Sequence, residues 1–407
     1  MSEVPIPNIE DVDVGGQWVL VRGDLNVPLA DGEVTDDFRL QMFLPTLEYL
    51  FDSGARTIIC SHLGRPSGPD PALRMRPVAQ ALGELTSHEI TPVPEVAGRV
   101  ADAATSALQP GHAIMLENLR FDPGETENDD GFVQRLASLA QVYINDAFGA
   151  CHRAHASVVG VPRYLPSAAG FLLLDEIEKL SKLLEEPRRP LVVVLGGAKV
   201  GDKLGVVRSL LERADRVLIG GGMCFTFLRA RGGHIGRSLV DETRLDDVRA
   251  ILDGPGGDKI VLPTDVIAAD SIDAAGGHHV PATDVPGHQM GVDIGEASAY
   301  TFADEIRRAG TVFWNGPMGV FENDAFVSGT RAVADAVARA DAFTVTGGGD
   351  TAAALSAFGL DEQIDFLSTG GGASLEFLEG KTLPGIAALE ANLRERMSGQ
   401  SGLWEGV

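Results

Sequence analysis

The sequence predicts an α/β protein built as two lobes, each a mostly parallel sheet covered by helices on both faces. Three observations carry that expectation. At 407 residues the chain exceeds what one growing core accommodates, so two domains of roughly 200 residues are expected. Short, nearly continuous apolar runs alternate with longer amphipathic stretches, which is the pattern of strands buried on both faces. Between the two series lies one amphipathic segment, with Leu173, Ile177, Leu180 and Leu184 on a single stripe. It stops at Glu186-Pro187, as a helix does before proline.

In chain order, strands are expected at 18–22, 57–60, 113–116 and 142–145, then at 191–195, 216–219, 259–262, 311–314 and 342–346. Helices are expected at 73–85, 131–140, 298–308 and 331–339, with a last one at 386–397. Pro162, Pro166 and Gly170 interrupt the chain before the amphipathic stripe. The division is therefore an N-terminal domain 1–170, a connecting helix 171–187, a C-terminal domain 188–385, and a terminal helix and tail 386–407. Trp404, alone near the terminus, predicts a tail pinned onto another surface.

A formal charge of −25 opposes nonspecific binding to nucleic acid or anionic membrane, though a local basic cleft can still take phosphates. The excess acid is spread through surface-like segments such as 122–130 and 241–247. No apolar leader or membrane-length run occurs, and Cys60, Cys151 and Cys224 have no metal or redox spacing. A cytoplasmic protein with reduced cysteines is expected.

Basic residues of the first half follow the expected strands. Arg22-Gly-Asp24-Leu-Asn26 follows the first, and Arg39 opens a helical segment. Ser61-His62-Leu-Gly64-Arg65 follows the second, Glu117-Asn118-Leu-Arg120 the third, and Asp146 through His152-Arg153-Ala-His155 the fourth. Parallel sheets place ligands beyond the carboxyl ends of their strands, so these groups converge. Arginine forks suit phosphate and carboxylate oxygens, while Asp24 and Asn26 can bind hydroxyls. A small, anionic, hydroxylated ligand is the expectation.

The second half is marked by lysine. The chain has only six against 27 arginines, and none in its first 178 residues, yet Lys199 and Lys203 stand four apart behind Gly196-Gly197. That spacing predicts two ammonium groups on one face of a helix. A lysine is a flexible point charge, suited to following a migrating phosphoryl group. Glycines, 49 in all, cluster at the ends of apolar runs. Gly220-Gly221-Gly222 can admit a flat ring or sugar. The turn from Trp314 through Asn315 to Glu322 offers a carboxylate for ribose hydroxyls. Gly347-Gly348-Gly349-Asp350-Thr351 offers N–H groups for phosphate and Asp350 for Mg²⁺, and 368–374 repeats that geometry. Neither the G-x-G-x-x-G pattern at the first strand nor G-x-x-x-x-G-K-[ST] occurs, which argues against a dinucleotide dehydrogenase and a P-loop ATPase.

Taken together, these segments resemble the phosphoglycerate kinase family along the whole chain. The resemblance rests on Arg22-Gly-Asp-Leu-Asn-Val-Pro28, Ser61-His-Leu-Gly-Arg-Pro66, Glu117-Asn-Leu-Arg-Phe121 and Asn145-Asp-Ala-Phe-Gly149 with His152-Arg-Ala-His155. In the second half it rests on Gly196-Gly-Ala-Lys-Val200, Asp202-Lys203, residues 314–322, Gly347-Gly-Gly-Asp-Thr351 and 368–374. It implies two Rossmann-like three-layer α/β/α lobes joined by an interdomain helix, a monomer that closes across a cleft, and a tail returning to the N-terminal lobe. The implied partners are 3-phosphoglycerate or 1,3-bisphosphoglycerate and an adenine nucleotide, ATP or ADP with Mg²⁺, and neither nucleic acid nor membrane.

By the same resemblance Asp24, Asn26, Arg39, His62, Arg65, Arg120 and Arg153 hold the phosphoglycerate. Lys199, Lys203, Gly221, Gly295, Asn315, Glu322, Gly348, Gly349, Asp350 and Thr351 hold the nucleotide, with Asp350 also on the metal. Arg39, Lys199, Gly349 and Gly372 act on the transferring group. Gly23, Gly201 and Glu296 depart from the residues usual in the family, and none removes a charge from either site. The acceptor in the ATP-consuming direction is a carboxylate, already ionised at neutral pH, so alignment and charge neutralisation suffice without a general base.

Overall fold

The computed structural model describes residues 6–399, so Trp404 lies outside the described residues. The chain divides into two compact units, one running to Ile177 and resuming at Thr382, the other spanning Glu178–Lys381.

In the first unit a six-stranded sheet runs in the order Ile90–Pro92, Ala113–Met115, Arg56–Cys60, Trp18–Gly23, Val142–Asp146, Ser167–Ala169. Every pairing is parallel, and Arg22 stands opposite both Cys60 and Asn145. All strand carboxyl ends therefore open on one edge. Val19, Val21, Ile59 and Ile144 project into a core closed by the helices Phe38–Asp52 and Arg76–Thr86. The first of these buries Leu40, Phe43, Leu47 and Leu50, the three-and-four spacing of a core-facing stripe, although Pro45 lies within it.

The terminal helix Pro384–Gly399 packs on this same unit. Asn392 donates through Nδ2 to the carbonyls of Pro162 (2.6 Å) and Leu165 (2.9 Å) and accepts from Ser167 N at 3.1 Å. One amide thus satisfies backbone groups leading into the edge strand.

The second unit repeats the architecture with the order Ile260–Val261, Arg216–Ile219, Leu191–Leu195, Thr311–Asn315, Phe343–Gly347, Phe366–Ser368, again all parallel. It also carries an antiparallel sheet of His278–Pro281, Asp265–Ala269 and Met290–Ile294, which the sequence pattern does not announce. His278–Pro281 is almost wholly exposed, and an exposed edge strand leaves no apolar run to read.

One expectation is overturned. Lys199 and Lys203 do not share a helical face, because the helix begins only at Leu204 and ends at Leu211. Residues 196–203 form turns, with Lys203 N donating to Val200 O at 3.0 Å. The backbone of Gly196 and Gly197 is instead committed to Asn315 and Pro317, which holds the chain away from helical geometry.

Candidate active site

The sheet edge of the first unit gathers positive charge. Arg22 ends the central strand and is buried to 1% exposure. Its Nη2 donates to His62 Nδ1 at 2.9 Å and its Nε to Ser157 Oγ at 3.0 Å. Beside it the buried Asp24 forms an ion pair with Arg39. Burial alone would raise the Asp24 pKa, but the neighbouring Arg39 and Arg22 cations help outweigh it and hold the carboxyl below its ordinary value. Asn26 accepts from Gly64 N at 2.8 Å, and Arg120 donates to Gly64 O at 2.5 Å, so both brace the 61–65 turn.

Arg65 and Arg153 are exposed and lie within electrostatic reach of Arg120. Burial, then Arg22 and Arg153, lower the Arg120 pKa to about 10, leaving it a cation at neutral pH. Burial and the same arginines bring His155 down to about 4, and burial with Arg22 pushes His62 well below its ordinary value. Both imidazoles are therefore neutral at pH 7. The structure brings Asp24, Asn26, Arg39, His62, Arg65, Arg120 and Arg153 to one edge. Arg22, Arg153 and Arg65 thus stand close enough to Arg120 to help lower its pKa, an arrangement suited to an anion.

Sequence reasoning missed the groups beneath this surface. Glu125 belongs to the surface-like acidic segment 122–130, yet it is buried to 1% and accepts from Ser157 N (2.9 Å) and Ser157 Oγ (2.7 Å). Acid-rich composition hid one acid that the fold turns inward. Glu117 and Asn118 also serve the scaffold: Glu117 holds Arg74 and Met75 N, and Asn118 bridges the carbonyls of Leu63 and Leu73.

In the second unit three turns interlock backbone to backbone. Gly197 N donates to Pro317 O (2.8 Å), Gly221 N to Met318 O (3.1 Å) and Met223 N to Gly197 O (2.9 Å). Gly221 adopts φ 60°, and a Cβ there would meet Gly197 N at 2.5 Å, so only glycine fits. Lys203 Nζ fastens the group from below, donating to Gly196 O at 2.6 Å and Asn315 O at 3.1 Å. Burial lowers its pKa to about 8, against the opposing pull of Asp350 and Asp202. Lys199, by contrast, is exposed.

Asn315 and Thr351 carry the link onward. Asn315 Nδ2 donates to Gly347 O at 2.7 Å, and Gly316 N donates to Thr351 Oγ1 at 2.7 Å. These bonds aim the start of the helix Gly349–Phe358, capped by Gly348, at the same turns. Gly372 opens the shorter helix Gly372–Leu378.

The turns border a cavity of about 340 Å³ whose wall includes Gly221, Gly222, Leu239, Met318, Glu322 and Asp350. Its apolar body and the carboxyl groups of Asp293, Glu322 and Asp350 along its wall suit a base and a sugar. Asp350 is exposed and borders it beside the helix N-terminus, and among the described residues no cluster of three His, Cys, Asp or Glu could bind a metal alone. That fits Mg²⁺, which is usually held by one or two carboxylates together with substrate phosphates. Gly295 stands one residue beyond Ile294, which lines this cavity together with Asp293. It caps the helix Glu296–Arg307, packs against the Asp265 carboxylate and borders a second cavity, whereas Gly291 lines the first.

The first unit thus presents a basic sheet edge and the second a cavity walled by glycine turns. Comparison with known proteins identifies the family. The family model described as Phosphoglycerate kinase matches residues 9–381. The phosphoglycerate kinase of Salinispora arenicola is 54% identical over 387 residues, covering 93% of this chain and 97% of that protein. That of Moorella thermoacetica is 51% identical, covering 94% and 98%. The structure of phosphoglycerate kinase from Coxiella burnetii superposes with a TM-score of 0.83 at 39% identity, covering 95% of this chain and 99% of that one.

The chain belongs to the phosphoglycerate kinase family. It is a phosphotransferase of glycolysis, moving a phosphoryl group reversibly between 1,3-bisphosphoglycerate plus ADP and 3-phosphoglycerate plus ATP. Family membership implies the use of ATP and Mg²⁺. Among the described residues no helix is long and apolar enough to cross a membrane.

Proposed function

We propose that the arginine-rich edge of the first unit holds 3-phosphoglycerate and that the cavity of the second holds the adenine nucleotide. The observation that carries this reading is the gathering of Arg65, Arg120 and Arg153 at the strand ends, near enough for Arg153 and Arg65 to help lower the Arg120 pKa. Arg39, Arg65, Arg120 and Arg153 contact phosphate and carboxylate oxygens, and Asp24 and Asn26 the hydroxyl. Glu322 accepts from the ribose, and the 348–351 turn donates to phosphate. Asp350 holds Mg²⁺, which when bound neutralises phosphate charge. Lys199, the exposed ammonium, meets the transferring group, while Lys203 holds the turns that shape its path.

No proton has to leave the acceptor carboxylate, so catalysis is alignment and charge neutralisation in an in-line transfer. Closure of the two loaded units brings the reactants together and excludes water that would hydrolyse the acyl phosphate. The protein acts as a cytoplasmic monomer.

A coupled assay with 3-phosphoglycerate and MgATP tests the reaction, and titration calorimetry with each ligand tests the division of sites. Turnover without separable binding of the two ligands would refute the division. X-ray scattering tests closure, which predicts greater compaction with both ligands than with either alone.

A further inference from the structure

Beneath the basic edge lies a directional chain of hydrogen bonds that the reaction itself does not call for. We propose that Arg22 is a positioning residue, fixing His62 as its neutral Nε2–H tautomer so that the ring presents a donor to the phosphoglycerate. This rests on the reading that His62 faces that ligand.

The direction of each bond follows from chemistry. The Glu125 carboxylate can only accept, so the Ser157 hydroxyl donates its proton there, at 2.7 Å. The Ser157 oxygen is then left to accept from Arg22 Nε at 3.0 Å. A guanidinium has no lone pair, so at 2.9 Å Arg22 Nη2 must donate to His62 Nδ1. That nitrogen carries the lone pair, and the ring proton resides on Nε2. An imidazolium would set an Nδ1–H against the guanidinium N–H.

Geometry elsewhere locks the chain. Arg22 Nη1 donates to Gly23 O and to Ser61 Oγ at 3.3 Å, and Ser61 Oγ in turn donates to Gly23 O at 2.7 Å. Ser157 stands in the π-helical turn Ala156–Gly160, and its carbonyl accepts from Tyr143 OH at 2.5 Å. Such widened turns frequently occur at functional sites. The charged groups facing His62 are Arg22, Asp24, Arg39 and Arg120. With three cations against one carboxylate, and with burial, the ring stays neutral at physiological pH. A neutral donor adds a contact to the anion without a further cation among the arginines.

The test is long-range ¹H–¹⁵N NMR of the full-length enzyme, with the His62 signals assigned by their loss in His62→Asn. The expected pattern is an unprotonated Nδ1 and a protonated Nε2, unchanged from about pH 6 to 8. An Nδ1–H tautomer, or an imidazolium at pH 7, would overturn the proposal without any variant needing to fold. Arg22→Met should free Nδ1, let the ring titrate nearer its ordinary value, and raise KM for 3-phosphoglycerate about tenfold to a hundredfold with KM for ATP little changed. Arg22→Gln keeps an N–H donor and should recover part of the loss. A His62 spectrum unchanged in a folded Arg22→Met protein would refute Arg22 as the cause. An Nε2–H ring combined with unaltered 3-phosphoglycerate affinity in His62→Asn would refute the ligand assignment of His62 instead.

Discussion

Lys199 and Lys203 show how far identical residues diverge once folded. Lys203 is spent on two backbone carbonyls, whereas Lys199 stands exposed on the turn before the helix. Lys199→Ala is expected to lower kcat about 10²–10³-fold with a small effect on binding, the usual loss for one preorganised charge stabiliser. Lys199→Arg should rescue poorly, since a planar fork cannot follow a migrating phosphoryl group as a point charge does. Near-normal turnover of Lys199→Ala in the coupled assay would remove this lysine from the mechanism. Arg39→Ala and Arg153→Ala should weaken 3-phosphoglycerate binding in calorimetry and leave ADP binding intact, because both arginines belong to the first unit. Equal loss of both ligands would contradict that assignment. The gathering of Arg22, Arg39, Arg65, Arg120 and Arg153 at one sheet edge was legible in the sequence, because each follows an expected strand or opens the segment after it. Their supports were not. Nothing in the spelling of Glu125 or Ser157 separates a buried anchor from a surface polar residue.

At the level of elements, the helix Phe171–Glu185 was plain from its apolar stripe, and the strands buried on both faces from their apolar runs. The antiparallel sheet was not legible, because Met290–Ile294 mixes glycine and aspartate with aliphatics and His278–Pro281 is exposed. How the helix begins was equally hidden. Its first N–H, from Phe171, meets Thr46 Oγ1 at 2.9 Å, and Leu173 N meets Asp146 Oδ1 at 3.0 Å. Burial raises the Asp146 pKa to about 7 despite help from Thr46 and the helix N–H groups. In the unfolded chain the same carboxyl ionises near 4. Between those values the native state holds a proton that the unfolded state has lost, so this contribution to stability falls as pH rises from about 4 to 7 and is level above. Asp146→Asn cannot ionise and lacks that slope. Its melting temperature relative to the parent should therefore be more favourable at pH 8 than at pH 5, by an amount on the order of a few kcal/mol in stability. An identical difference at both pH values would show that Asp146 is ionised throughout.

Across the whole molecule, length and alternating pattern were enough to read two α/β units, because burial on both faces leaves a strong apolar signature. The net charge of −25 was equally visible, and so was its uneven spread, with basic residues following the strands of the first half and acids in segments such as 241–247. The basic edge concentrates Arg22, Arg39, Arg65, Arg120 and Arg153, leaving the remaining surface still more acidic. Exposed pairs such as Arg208–Asp247 and Arg249–Asp246 offset only part of that excess, and pairs of this kind contribute little individually. Salt should therefore act in opposite senses on stability and on substrate. The Debye length shrinks from about 30 Å at 0.01 M to about 10 Å at 0.1 M, screening repulsion among the dispersed acids, so the melting temperature should rise with sodium chloride. On the proposed reading the anionic substrate is drawn by the arginines of the basic edge despite the net negative charge. Its KM should rise over the same range as that attraction is screened. A KM for 3-phosphoglycerate that fell with salt would mean that the net negative field, and not the local cluster, governs its approach.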